Sequence, residues 1–187
     1  MNKKKIEKLI KQIIIELGEN PDREGLSKTP ARIAEMYEEI FGGYGMNSEL
    51  DVSFSEETNA IIARDIQFYS MCEHHLLPFY GKIHIAYIPN GKVFGISKLV
   101  RLTEKYSRRM QIQERLTKEI ADEIKRNGVS GVMVLAEGEH LCMKMRGVKN
   151  ANSSIMTVSY RGIFEQKNLR ESVLALVYNR QNNIKNL

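Results

Sequence analysis

The chain has no tryptophan and only two cysteines in 187 residues. It also lacks long apolar runs. Stretches such as Ile13-Ile14-Ile15 fall far short of the roughly 20 residues a membrane-spanning helix needs. Lys3-Lys4-Lys5 stands near the start, but Glu7, Lys8 and Lys11 break up the residues after it, so no apolar export signal forms and a cytoplasmic protein is expected. In that compartment a Cys72–Cys142 disulfide is disfavoured. No internal repeat or low-complexity segment is present. A phosphate loop of the G-x-x-x-x-G-K-S/T type is missing too: Gly91-Lys92-Val93-Phe94-Gly95-Ile96-Ser97-Lys98 holds the ingredients in the wrong order, so any nucleotide must be gripped another way.

What is present suits one domain with an N-terminal extension. At 42% hydrophobic and 27% charged, the chain can bury a core and stay in solution. Basic residues outnumber acidic ones, 28 to 23, and the net charge of +5 favours anionic ligands. The basic residues form no single long tract, which sets a nucleotide ahead of nucleic acid.

Both cysteines sit beside histidine, in Cys72-Glu73-His74-His75 and in His140-Leu141-Cys142-Met143-Lys144-Met145-Arg146. Two thiolates with one or two imidazoles make a zinc ligand set. On a straight strand, positions 72 and 75 would face opposite ways, so the chain must turn for both to reach one metal. Pro78 restricts Leu77 and favours a sharp loop there. His74 and His75 are adjacent and should diverge, one ligating and one facing a cleft. The second segment alternates strictly and is predicted as a half-buried strand, with Leu141, Met143 and Met145 toward the core and His140, Cys142, Lys144 and Arg146 on the other face. His140 would then be either a fourth ligand, closing a structural site, or a group facing a bound water at a catalytic one.

Taken in order, residues 2–17 are predicted helical, with Ile6, Leu9, Ile10, Ile13 and Leu17 at helical spacing. Thr29 and Pro30 start a second helix as N-cap and first helical residue. Arg32 in its first turn is either a plain surface residue or an anion contact. Residues 43–58 are irregular and polar. Ile61–Met71 and Lys82–Ile88 are predicted as an antiparallel pair of strands, with His84 an ordinary strand residue. Ser97 caps a helix running to about Arg109, whose stripe Lys98, Arg101, Lys105 and Arg108 is either a solvated face or, at its positive end, a phosphate site. Glu114–Arg126 is a further helix, and Glu114 either favours the helix dipole or accepts two hydrogen bonds from a purine edge. Val129–Arg146 is a long strand bent near Gly138. Ser153–Phe164 is a fourth strand, Asn168–Tyr178 a closing helix, and the tail from Asn179 is polar. Strand, strand, helix, helix, strand, strand is an α+β plan: an antiparallel four-stranded sheet with helices on one face. Residues 1–58 form the N-terminal helical region and linker, and 59–187 the main domain. The uncovered face and edges call for an oligomer.

Thr29-Pro30-Ala31-Arg32, Cys72-Glu73-His74-His75, Gly95-Ile96-Ser97-Lys98, Gln111-Ile112-Gln113-Glu114-Arg115-Leu116 and His140 through Gly147 occur in one order across nearly the whole chain. In these segments it resembles GTP cyclohydrolase I. The resemblance implies a T-fold assembled as a ring-shaped homodecamer with sites between subunits. It implies conversion of GTP and water into 7,8-dihydroneopterin triphosphate and formate, the entry to folate-type pterins. It assigns one Zn2+ per subunit to Cys72, His75 and Cys142, with water in the fourth position. By the same resemblance His140 is the principal proton shuttle, assisted by His74, and Ser97 either helps the ribose steps or only binds phosphate. Glu114, with Gln113 beside it, matches the guanine grip, and Lys98, Arg101, Arg146 and Arg32 match triphosphate contacts. Glu35 departs from the family pattern, since some members carry Lys there.

Overall fold

A computed structural model of the chain describes residues 1–47, 50, 53–56 and 58–178. The polar tail from Asn179 lies outside the described residues. Helix α1 (Lys3–Glu16) is capped by Asn2, whose Oδ1 accepts the Lys5 N–H at 3.0 Å. Gly18, at φ +82°, lets the chain leave that helix. Of the apolar residues of α1 only Ile14 is buried, while Leu9, Ile13 and, just beyond, Leu17 are exposed. Helix α2 (Thr29–Ile40) corrects the predicted cap. Lys28 holds the cap position, Thr29 and Pro30 are the first helical residues, and the Thr29 hydroxyl donates back to Gly25 O at 3.5 Å.

The segment expected to be irregular contains strand β1 (Ser53–Ser55), which pairs antiparallel with β4 (Lys92–Phe94). Between these, β2 (Ile61–Cys72) and β3 (Pro78–Ile88) pair antiparallel, with a bulge between Ala63 and Ile66 where Asp65 takes φ +58°. Pro78 opens β3 rather than extending the loop, and a strand's first residue tolerates the missing N–H. Helix α3 (Ile96–Ser107) starts after Gly95, so Ser97 lies inside the first turn and is not the cap. Strand β5 (Met110–Gln111) adds a short parallel edge to β2, and helix α4 (Gln113–Arg126) comes next. Strand β6 (Gly131–His140), helix α5 (Leu141–Lys144), strand β7 (Ile155–Gly162) and helix α6 (Lys167–Tyr178) complete the order.

The main sheet runs β5-β2-β3-β6-β7, four long antiparallel strands plus the two-residue β5. Alternation along β3 and β6 sends Phe79, Ile83, Ile85, Tyr87, Val132 and Val134 to one face, where Leu99 and Leu102 of α3 and Leu116, Ile120 and Ile124 of α4 cover them. Ala86 and Met133 point the other way and pack under Val173 and Val177 of α6. The closing helix thus covers part of the face opposite α3 and α4. His84, expected to be ordinary, is buried there, and its Nδ1 accepts the Asp65 N–H at 3.2 Å, which pins the bulge. Burial holds its imidazole below the usual range.

Gly81 faces the β6 backbone at Glu137 and Gly138, where a Cβ would meet the Glu137 carbonyl and come within 2.8 Å of Gly138 Cα. Gly81→Ala should therefore cost about 1–3 kcal/mol of stability through overpacking. Urea unfolding at fixed protein concentration reads this as a lower midpoint, and an unchanged midpoint would mean that β3 and β6 part there without cost.

Candidate active site

Cys72 ends β2, and the chain turns back at once. Its carbonyl accepts the N–H groups of His75 (3.4 Å) and Leu76 (2.9 Å), and its own N–H donates to Leu77 O at 2.9 Å. Leu76 carries the turn at φ +51°. His75 Nδ1 thereby comes 3.8 Å from Cys72 Sγ. His74 diverges as expected: it is exposed, with its ring edge-on to His75.

Cys142 arrives differently from its predicted strand. β6 ends at His140, because its partner β3 begins at Pro78 and the last residue pair is Phe79 with His140. Without a ladder the backbone closes into α5, and the Met145 N–H donates to Leu141 O at 3.0 Å. The predicted shared face of His140, Cys142, Lys144 and Arg146 is accordingly absent. Lys144 pairs with Glu139 at 2.7 Å, and an Arg146 N–H donates to His75 Nε2 at 2.8 Å. Among the described residues, the ligand atoms of Cys72, His75 and Cys142 all lie within 4.8 Å of one another. A tetrahedral zinc site with two sulfurs and a nitrogen needs separations of about 3.5–3.8 Å, so a small closure of this group suffices. Burial, and then the neighbouring Cys72, push the Cys142 thiol up.

His140, two residues before Cys142, is half-buried. Its ring stacks on Phe79, centroids 4.7 Å apart and planes 6° from parallel. Its Nε2 lies 2.9 Å from Gln113 Oε1. Burial lowers its pKa, and the Glu114 carboxylate pulls it back up. Gln113, the first residue of α4, is buried at 1% exposure, and its Nε2 donates to Ala136 O (3.1 Å), Ile155 O (2.9 Å) and Thr157 Oγ1 (3.2 Å). Glu114, next along, is exposed.

Three supports have no marker in the sequence. One is the Phe79 stack. Another is the two-toothed pair of Arg115 with Glu73, 2.6 and 3.0 Å, which ties the Cys72–His75 turn to the start of α4 and holds the Glu73 carboxyl below its usual range. The last is Gly138, where a Cβ would collide with Gln113 Oε1. Strand register could have found the first, since position 79 falls opposite position 140.

Ser97, Lys98 and Arg101 are not brought to the cysteines within this chain. Helix α3 begins beside the Tyr87 end of β3, where the Phe94 N–H donates to the Tyr87 hydroxyl at 3.0 Å. Cys72 and His140 stand at the Phe79 end. Eight residue steps along the strand separate those ends, about 26 Å. Arg32 is exposed in the first turn of α2.

The sheet, the helix pair on one face and a Cys–His–Cys group beside a stacked histidine define a T-fold protein with a metal-type centre. The family model of GTP cyclohydrolase I matches residues 6–178. The GTP cyclohydrolase 1 of Clostridium perfringens strain 13 is 52% identical over 95% of this chain and 98% of its own. That of Hyperthermus butylicus is 50% identical over 95% and 92%, and that of Streptococcus pneumoniae strain Hungary19A-6 is 50% identical over 95% and 99%. A solved structure, the archaeosine synthase QueF-Like in the apo form, aligns with 57% of this chain and 97% of its own at 16% identity and a TM-score of 0.48. The chain belongs to the GTP cyclohydrolase I family.

A thiol must lose its proton to ligate a metal. Titrating zinc into the metal-free protein should therefore release about two protons per ion near neutral pH, one from each cysteine. Calorimetry in buffers of different ionisation enthalpy measures this, and release of none would remove both thiols from the site.

Proposed function

We propose that this chain converts GTP and water into 7,8-dihydroneopterin triphosphate and formate, with zinc held by Cys72, His75 and Cys142. The observation that carries the reading is the convergence of those three ligands beside His140 and the start of α4. Three protein ligands leave a fourth position open, the pattern of a catalytic rather than a structural zinc. Zinc bound there would supply a water acidified toward pKa roughly 7, suited to adding at C8 of the guanine imidazole ring.

The chain's own residues do the rest. Glu114 is exposed beside the histidine, and its carboxylate suits the amide-and-amine edge of guanine. His140 moves protons at its ring during ring opening and formate release, and its lowered pKa keeps it neutral, able to accept one, at neutral pH. His74, exposed on the adjacent turn, assists. Lys98 and Arg101, with Ser97 in the same turn, bind the triphosphate at the positive end of α3. Arg146, beside His75, and Arg32 are further contacts to the triphosphate.

In one chain the phosphate-binding half and the metal half lie at opposite ends of the sheet. A head-to-tail ring of subunits would seat the start of one α3 against the Cys72 end of the next, so the active form is an oligomer, which we take to be a homodecamer. Residues 59–187 act as the catalytic T-fold domain and 1–58 as an N-terminal region serving assembly. No helix among the described residues is long and apolar enough to cross a membrane, and we place the enzyme in the cytoplasm.

Incubating the zinc-loaded protein with GTP should yield formate and the pterin's ultraviolet absorbance at equal rates, both stopping on chelation. Formate without pterin would mean ring opening alone, and neither product from an assembled, metal-loaded oligomer would overturn the reading. His140→Ala should keep zinc and assembly while turnover falls by about 10²–10⁴. Zinc lost in that variant would make His140 a ligand instead. Glu114→Ala should raise the KM for GTP with the metal content unchanged.

A further inference from the structure

Gln113 does not sit where a substrate can touch it. It is 1% exposed, while its neighbour Glu114 is open to solvent. Its amide passes beneath β6 at Gly138, the one residue type that leaves room for it, and ends between the backbones of β6 and β7. There its orientation is forced. Two backbone carbonyls, Ala136 O at 3.1 Å and Ile155 O at 2.9 Å, flank one end of the amide, and a carbonyl only accepts. The NH2 must face them, so Oε1 must face His140. An amide flip would set oxygen against two carbonyl oxygens and leave the NH2 of a buried amide without those acceptors.

The consequence falls on the imidazole. Oε1 accepts and does not donate, so the contact at 2.9 Å requires that His140 Nε2 carry the hydrogen. Nδ1 is then the nitrogen with the free lone pair. The Phe79 ring, 4.7 Å away and nearly parallel, fixes the plane of the ring while Gln113 fixes its rotation within that plane.

We propose that Gln113 is a positioning residue for His140, selecting the Nε2–H form and presenting Nδ1 as the proton acceptor, and does not grip the purine. This rests on the reading of His140 as the proton shuttle, but its first test does not need turnover. In zinc-loaded protein labelled with 15N-histidine, solid-state NMR near pH 8.5, about two units above an ordinary imidazole, should show His140 with Nε2 protonated and Nδ1 bare. The His140→Ala spectrum identifies its signals by difference. Finding the Nδ1–H form in the native protein would overturn the proposal whether or not GTP is turned over. No formate from GTP, with the Nε2–H form present, would instead fail the enzymatic reading and leave the positioning intact.

The second test separates positioning from substrate binding. Gln113→Met keeps the buried volume and removes both the acceptor and the donors. It should give a mixed His140 signal and lower kcat by about 100-fold, the cost of roughly an ångström of misplacement, with the KM for GTP within about threefold. A large rise in KM at unchanged kcat would make Gln113 a substrate contact and overturn the proposal. Thr157→Val, which removes one of the three acceptors at 3.2 Å and leaves the two carbonyls, should keep the native His140 signal. A mixed signal there would show that the two carbonyls do not suffice to orient the amide.

Discussion

Ten consecutive residue pairs lock β3 to β6, from Phe79 with His140 to Ile88 with Gly131, and the site hangs on where that ladder stops. Strand pairing fixes faces as well as neighbours, because a slip of one residue turns every side chain to the other side. In the observed register Ile83, Ile85 and Tyr87 face the helices together with Val132 and Val134, so the apolar core opposes any slip. The same register sets Phe79 opposite His140 and ends the ladder there. Cys72 ends one strand of the sheet, with His75 on the turn that follows it, and Cys142 lies on a helical turn after the end of another. The metal-type group is thus a product of strand ends, with Cys72 in the core and Cys142 packed against it.

The start of α4 joins this frame to the chemistry. Three successive residues leave the helix about 100° apart, and each takes a different task. Gln113 points into the sheet and reaches β6, β7 and His140. Glu114 points outward beside the histidine. Arg115 pairs with Glu73 in the Cys72–His75 turn. Ion pairs this exposed add little to overall stability, but a two-toothed guanidinium–carboxylate contact fixes direction, and here it fixes the turn that carries His75.

Much of this is legible in residue patterns, and the departures share a cause. The order of strands and helices comes from period, and the pairing of Cys72-x-x-His75 with Cys142 comes from residue type. The departures fall at element ends. Thr29 and Ser97 look like caps, yet each lies within its helix, because the chain before it already takes up the turn. His140 to Arg146 alternates as a strand would, but alternation records only side-chain polarity. A strand also needs a partner backbone, and β3 has none to offer past Phe79. The burial of Gln113 is hidden for a similar reason: nothing in its sequence neighbourhood tells a glutamine facing solvent from one threaded under a glycine far along the chain.

The exposed surfaces fit the same logic. β7 is an edge strand with Met156, Val158 and Tyr160 exposed on one face, and α1 exposes Leu9 and Ile13. An open edge carrying apolar side chains is a template for further pairing, which native chains usually blunt or cover. Within one chain, meanwhile, the start of α3 cannot reach Cys72, because the length of β3 separates them. A contact that added strands at β7 would answer the first of these demands by covering the edge. A lone subunit brings Cys72, His75 and Cys142 together but leaves the start of α3 at the far end of β3.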